Sequence, residues 1–387
     1  MSEVELTAGD DRRPQALAIL GFSLSLGTAT LVLPLLALSA GYDAATIGLL
    51  TAVSAISQIG FRLLLPWVLA RYPDREVIGL ACLIMAASYG LLFASPALPF
   101  FVVAELMQGG SRALFWTSSQ THAVRGHGGS VRSLARMQVV GNVGNMIGPP
   151  LAGLAAGMSL EIAMAIGILT GIAGAMFSRS MHRLPAFVRE RRRDEPWIWR
   201  RSGVDLACWA GFASGGLRAM QGSYIPILLE GWGIVPSVIG LLLGLADAAS
   251  TATAGLLVRF TPRNNRTAIE LGVIGVALGL AALPLAAGQV LVAALLILVA
   301  GAGAGILTTV GPALASDSVR PNERGDALAW VGTFRGASLF ATPTGVALGL
   351  SVVSLPVGIA VAGALLALPA VATGIASRWP IAERGAA

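Results

Sequence analysis

Six ionisable side chains fall inside long apolar stretches of this chain: Arg62, Glu105, Arg112, Arg218, Asp247 and Arg335. A charge at mid-depth in hydrocarbon costs a few kcal/mol even on generous scales, so each is a candidate for work on a substrate or an ion. Four guanidinium groups against two carboxylates leave an excess of positive charge, which suits an anionic or zwitterionic substrate. The alternative is internal pairing, Arg218 with Asp247 and Arg112 with Glu105, which leaves a mostly apolar cavity. A carboxyl whose guanidinium partner comes and goes switches between holding and releasing a proton, so Glu105 and Asp247 are the candidate proton carriers. Gln221 and Tyr224, three and six residues after Arg218, extend a polar stripe along one helix face. Arg62 and Arg335 project nearer one membrane face, where long side chains snorkel or cap helix ends. Asp205 and Arg136 lie close enough to helix ends to reach water.

These residues need a frame that holds them in a bilayer. The 387 residues are 55% hydrophobic and 12% charged, with a mean hydropathy of +0.76, about half the charge of a soluble domain. A span needs about twenty apolar residues. Twelve stretches qualify, at 16–38, 45–69, 76–96, 98–122, 134–157, 160–178, 203–228, 236–258, 267–286, 289–315, 327–349 and 354–376. The fold class is therefore an all-α membrane protein, and the first stretch is the first span, not a cleaved leader.

The placement of charge orients the spans. All 26 basic residues are Arg. Arg12, Arg13, Arg71, Arg75, Arg125, Arg132, Arg259, Arg263, Arg266, Arg320, Arg324, Arg378 and Arg384 fall on one side, and the opposite loops hold Asp43, Glu161 and Glu230 but no Arg. The positive-inside rule puts both termini in the cytoplasm of a cell-membrane protein. This alternation also explains a pI near 10.3 without nucleic acid. Residues 180–202, with the run Arg189 to Glu195, form a basic linker between residues 1–179 and 203–387. Cys82 and Cys208 lie within apolar segments, where a disulfide or zinc site is not expected.

The two halves repeat. At an offset of 192, Pro34 aligns with Pro226, Gly41 with Gly233, and Ile47-Gly48-Leu49-Leu50 with Ile239-Gly240-Leu241-Leu242; further on, with the offset drifted to 194, Pro149 aligns with Pro343. Parallel six-helix repeats are a plan of secondary transporters, with the substrate near mid-membrane between them. In the fifth span, Gly141, Gly144, Gly148, Pro149 and Gly153 form a run of small residues that lets backbones approach closely.

Twelve spans, cytoplasmic termini, a basic central loop and a 6+6 repeat resemble the major facilitator superfamily over essentially the whole chain. The Gly141–Gly153 run is similar to that family's antiporter motif, which is enriched among drug/proton exporters. The stretch Pro66 to Arg75 resembles the family's loop signature at Arg71 and Arg75, but Pro66, Ala70 and Pro73 replace its first Gly, its Asp and its second Gly. Gln108-Gly109 matches the family's fourth-span pattern, while Glu105 stands where that pattern has Arg. The resemblance implies a fold of two six-helix bundles and a gating role for Arg71, Arg75 and the Gly-Pro run.

No His-Glu-x-x-His, Gly-x-Ser-x-Gly or phosphate-binding Gly-Lys motif is present, and His122, His127 and His182 lie at or beyond span ends, so neither an enzyme nor a cofactor is expected. No nucleotide segment drives a pump. The expectation is a monomeric, proton-coupled exporter of small amphipathic molecules working by alternating access, with an uptake symporter for an organic anion as the alternative. The Gly144, Gly148 and Pro149 face is expected to touch the other half. At 1.5 Å per residue Arg218 and Asp247 differ in depth by only about 7 Å in a core about 30 Å thick, so they are expected to pair.

Overall fold

The structure is a computed structural model and describes residues 11–125, 130–185, 198–259, 264–320 and 323–378. Residues 186–197 of the basic linker, His127, Arg263 and Arg384 lie outside the described residues. The described chain is helical, with no strand. Its first six helices are α1 (Arg12–Ser39), α2 (Ala44–Leu69), α3 (Asp74–Ala94), α4 (Leu98–Arg125), α5 (Ser130–Ala156) and α6 (Leu160–Arg179). There follow α7 (Val204–Gln221), α8 (Tyr224–Gly231), α9 (Pro236–Arg259), α10 (Asn265–Ala282), α11 (Val290–Asp317), α12 (Arg324–Gly349) and α13 (Leu355–Arg378). Seven of these are long and apolar enough to cross a membrane, α1, α2, α3, α6, α9, α10 and α11. The others carry the charged, glycine-rich or shorter segments on which the candidate site depends.

One expected span is broken. The stretch 203–228 divides at Gly222-Ser223 into α7 and the eight-residue α8, so Arg218 falls in the last turn of α7. Free carbonyls at a helix C-terminus carry partial negative charge, and the break therefore places a favourable field beside the Arg218 guanidinium.

Neighbouring helices repeat their packing. In the first half α1 packs on α5, α2 on α4, α3 on α4 and α3 on α6; in the second α7 packs on α12, α9 on α11, α10 on α11 and α10 on α13. Gly41 and Gly233, aligned in the sequence repeat, end α1 and α8 with φ of +87° and +74°. Only glycine takes that left-handed turn without strain, so the repeat extends to backbone conformation.

The halves meet along α5 with α9 and α2 with α12. A Cβ on Gly153 would lie 2.5 Å from the Pro236 carbonyl oxygen, one on Gly244 2.6 Å from the Met146 oxygen, and one on Gly240 would overlap the Pro149 oxygen. This is backbone-on-backbone packing, as small residues permit. It lies near the C-terminal end of α5 and the N-terminal end of α9, toward the face away from the described ends of α1 and α13. On that same side the buried Tyr224 hydroxyl donates to the Pro343 carbonyl at 3.0 Å, and its ring fills the space beside Gly48.

Gly144 and Gly148 do not join this seam. A Cβ on Gly148 would meet Gly27 Cα and the Leu24 oxygen, both at 2.8 Å, and one on Gly144 would meet Ser23 Cβ at 2.6 Å. Gly141 faces Trp116 and Ser23. The expectation that Gly144 and Gly148 touch the other half is therefore corrected: they seat α5 on α1, and the half-to-half contact belongs to Pro149 and Gly153. The run spans more than two turns and so presents different faces of α5 to two helices.

At the other face a polar brace ties the first half together. The Asp11 carboxylate pairs with His182 at 2.7 Å and His122 at 3.2 Å. Asp74, fully buried, takes Arg125 at 3.1 Å and lies 3.7 Å from His122. Arg75 donates to the Met181 carbonyl at 2.8 Å, and Arg71 stacks on Trp67 with its guanidinium carbon 4.0 Å from the ring centre. Both arginines of the loop signature thus find these partners within the first half. In the second half Arg201 pairs with Glu323 at 2.8 Å, joining the approach to α7 with the start of α12.

Candidate functional site

A central cavity opens between the halves. Its wall includes Thr30 of α1, Thr51 and Gln58 of α2, Glu105 and Arg112 of α4, and Arg218 of α7, set among Leu and Ala side chains. Both helices of the first half that carry its charges and amides, α2 and α4, pack against each other. Ser54 of α2 lies close to Glu105 across that contact.

Arg218 is held from both halves. Its Nη1 lies 3.2 Å from the Asp247 carboxylate of α9, and its Nη2 lies 3.5 Å from the Thr30 hydroxyl of α1. The pair is about four-fifths shielded, with 22% and 19% of the two side chains exposed. A shielded ion pair of this kind is strongly destabilised when one partner is removed, because the other charge is stranded.

Arg112 is arranged differently. Its Nη2 donates to the Gln108 amide oxygen one turn away at 3.1 Å, and among the described residues its buried Nε has no hydrogen-bond partner. Glu105 is near enough to act on it electrostatically, and so is Arg218. Arg335 in turn acts on both Arg218 and Asp247, and Arg62 acts on Arg335. Arg335 and Arg62 are exposed and are not part of the cavity wall; Arg62 donates to the Gly332 carbonyl of α12 at 3.3 Å. Arg62 thereby bridges the halves instead of only reaching for the membrane surface.

Not every residue of the expected stripe reaches the cavity. Gln221 is buried and lines a second, smaller space among Leu217, Ile225, Leu243 and Ala246. Tyr224 lies beyond the helix break and closes the far side. Reading 203–228 as one continuous helix put these three on one face; Arg218 and Gln221 both belong to α7 yet line different spaces, and the Gly222-Ser223 break separates Tyr224 from them. Thr51, Gln58 and Ser54 were not singled out from sequence; their spacing at 51, 54 and 58 follows one face of α2.

Residues 15–343 match the family described as Major Facilitator Superfamily. The chain belongs to the Major Facilitator Superfamily. Solved structures of that fold align over nearly their full length. A nucleoside transporter, NupG, has a TM-score of 0.71 at 13% identity, covering 95% of this chain and 98% of its own. A POT family transporter in complex with a thioalcohol-conjugated peptide has 0.74 at 10%, covering 95% and 96%. A D-xylose-proton symporter has 0.73 at 14%, covering 93% and 96%. No curated protein matches the chain. Identities this low speak for the fold alone; with the family match they make this a multi-pass membrane transporter of the superfamily.

Proposed function

We propose that this superfamily member is a symporter that moves a small organic anion together with a proton. It works by alternating access between residues 1–179 and 203–387, joined by the linker 180–202. Twelve spans cross the cell membrane as a monomer, α7 and α8 together forming the seventh, with both termini in the cytoplasm; the one-sided arginines support that orientation.

The observation that carries the reading is the Arg218–Asp247 pair at the cavity wall. A substrate carboxylate competes with Asp247 for the guanidinium, and the released Asp247 becomes the group that takes up a proton. Anion and proton then favour each other's binding, and linkage makes that preference reciprocal. Ligands that bind together travel together, which is symport. Antiport requires that substrate and proton exclude each other, as a cation competing for Asp247 would; the two arginines that line the cavity, Arg112 and Arg218, oppose a cation. The expectation of export rested on the Gly141–Gly153 run, and the packing of Gly144 and Gly148 on α1 accounts for its spacing without implying a direction of flux.

Proteoliposomes offered a panel of organic anions under an inward proton gradient test this reading. The expected result is accumulation that collapses with a protonophore, and Asp247→Asn should keep anion exchange while losing accumulation. Proton release on anion binding by the purified protein, or gradient-driven movement of organic cations, would refute it.

A further inference from the structure

The cavity brings two guanidinium groups of opposite halves into each other's field. Arg112 stands on α4 of the first half and Arg218 on α7 of the second, both line the cavity, and each acts electrostatically on the other. Like charges at such a place repel at a cost that low dielectric magnifies. Asp247 satisfies Arg218 in part. Arg112 keeps a buried Nε without a partner, and the Gln108 amide nitrogen beside it is also buried and unpartnered. Of the charged groups that line the cavity, Arg112 and Arg218 stand against Glu105, one positive charge in excess, and protonation of Asp247 leaves that excess unopposed.

We infer that the substrate is a small dianion that bridges Arg112 and Arg218, one negative charge to each half. This rests on the anion reading above and narrows it. Arg218 has a carboxylate to exchange with the ligand, while Arg112 has spare donors and no carboxylate bonded to it, so the two ends of the site differ. Arg218 is the end that exchanges with Asp247; Arg112 is the end that measures the second charge. Gln58 on α2 supplies an uncharged amide donor on the same cavity wall. A dianion spanning the cavity also draws the halves together, because its two contacts belong to different halves. A ligand binding one arrangement better shifts the population toward it, so the second charge contributes to occlusion as well as to affinity. Two chemical sources share this pattern, a short dicarboxylate and a phosphate monoester.

The test compares ligands on the wild-type protein in proteoliposome exchange. The probes are succinate, its monoamide succinamate, glutarate and glycerol 3-phosphate. The expected result is that at least one dianion exchanges at a concentration at least about tenfold below that needed by the matched monoanion, as the loss of a charge-assisted contact implies. Preference for succinate or glutarate assigns the dicarboxylate source, and preference for glycerol 3-phosphate assigns the phosphate source. In Arg112→Gln the ratio of dianion to monoanion affinity should fall toward one, whatever the variant does to the absolute rate. If that variant does not fold, Arg112→Lys keeps the charge but not the fork and should retain the dianion preference at weaker affinity.

Monoanion exchange with no preference for any of the three dianions overturns the inference and leaves the anion reading standing. Failure of every anion to exchange, with the protein folded, overturns both.

Discussion

The seam between α5 and α9 makes a quantitative test of alternating access possible with a single methyl group. In Gly240→Ala the added Cβ would overlap the Pro149 carbonyl oxygen and sit 3.0 Å from the Pro149 carbonyl carbon and 3.2 Å from Gly153 Cα. All three are backbone atoms, so no rotamer change relieves the clash and the helices must separate. Overpacking a tight contact costs about 1–3 kcal/mol. That cost applies only while the seam is closed, so the balance should move toward the arrangement with the seam open by about 5- to 150-fold. The assay is the labelling rate of Thr51→Cys, on the cavity wall, by an impermeant maleimide applied from the face that the seam closes. The native Cys82 and Cys208 are fully buried and need no replacement. Gly255→Ala on the same helix is the control, because nothing lies within 4 Å of its Cβ. Gly240→Ala should accelerate labelling within that range and Gly255→Ala should leave it unchanged. Equal rates for Gly240→Ala and its parent, in folded protein, would remove the seam from the gating mechanism.

Gly148→Leu should act on folding instead of gating, because its side chain would enter the α5–α1 contact against Gly27 and Leu24; lower yield and thermal stability, with no selective change in Thr51→Cys labelling, is the expected pattern. Arg218→Ala should destabilise the protein by about 3–5 kcal/mol by stranding Asp247, and Arg218→Ala with Asp247→Ala should recover much of that loss without recovering transport. Thermal unfolding of the two single variants and the double variant checks this by a mutant cycle. Tyr224→Phe deletes the buried hydrogen bond to Pro343 and should favour the open far side by about 1 kcal/mol, read by the same labelling assay. Burial acts to raise the pKa of Asp11, but hydrogen bonds from the His122 and His182 rings and the His182 amide outweigh it and hold the carboxyl below its usual range. A folded-state pKa below the unfolded one stabilises above about pH 4 and loses that contribution as pH falls through the folded value. The melting temperature should therefore drop below about pH 4, and less steeply in Asp11→Asn.

Depth arithmetic placed Arg218 beside Asp247 because both helices run through the same slab and the residues are 29 apart in sequence. Gly41 and Gly233 were legible for a similar reason, since a repeat preserves the turns that only glycine makes. Packing partners were less so. The small-residue face of α5 can be read from the chain, but nothing in its spacing says that Gly148 meets Gly27 while Gly153 meets Pro236. The break at Gly222-Ser223 sits in an apolar run with no proline at the break, so continuity was the natural reading. The Asp11–His122–His182 brace joins residues 111 and 171 apart, and only tertiary structure brings such residues together. Arg112 and Glu105 share a face by period, yet the Arg112 guanidinium bonds Gln108, which is nearer by one turn.

The interruption of the seventh span gives one short piece of chain two jobs. Arg218, in the last turn before Gly222, grips Asp247 and lines the cavity; Tyr224, the first residue after it, bolts the far side through Pro343. Two rigid levers thus share a pivot of two small residues, and hinges of this kind absorb backbone rotation without disturbing the elements they join. In the proposed transport cycle a change at the guanidinium would reach the bolt through six residues of a single chain, with no relay of packed side chains across the bundle.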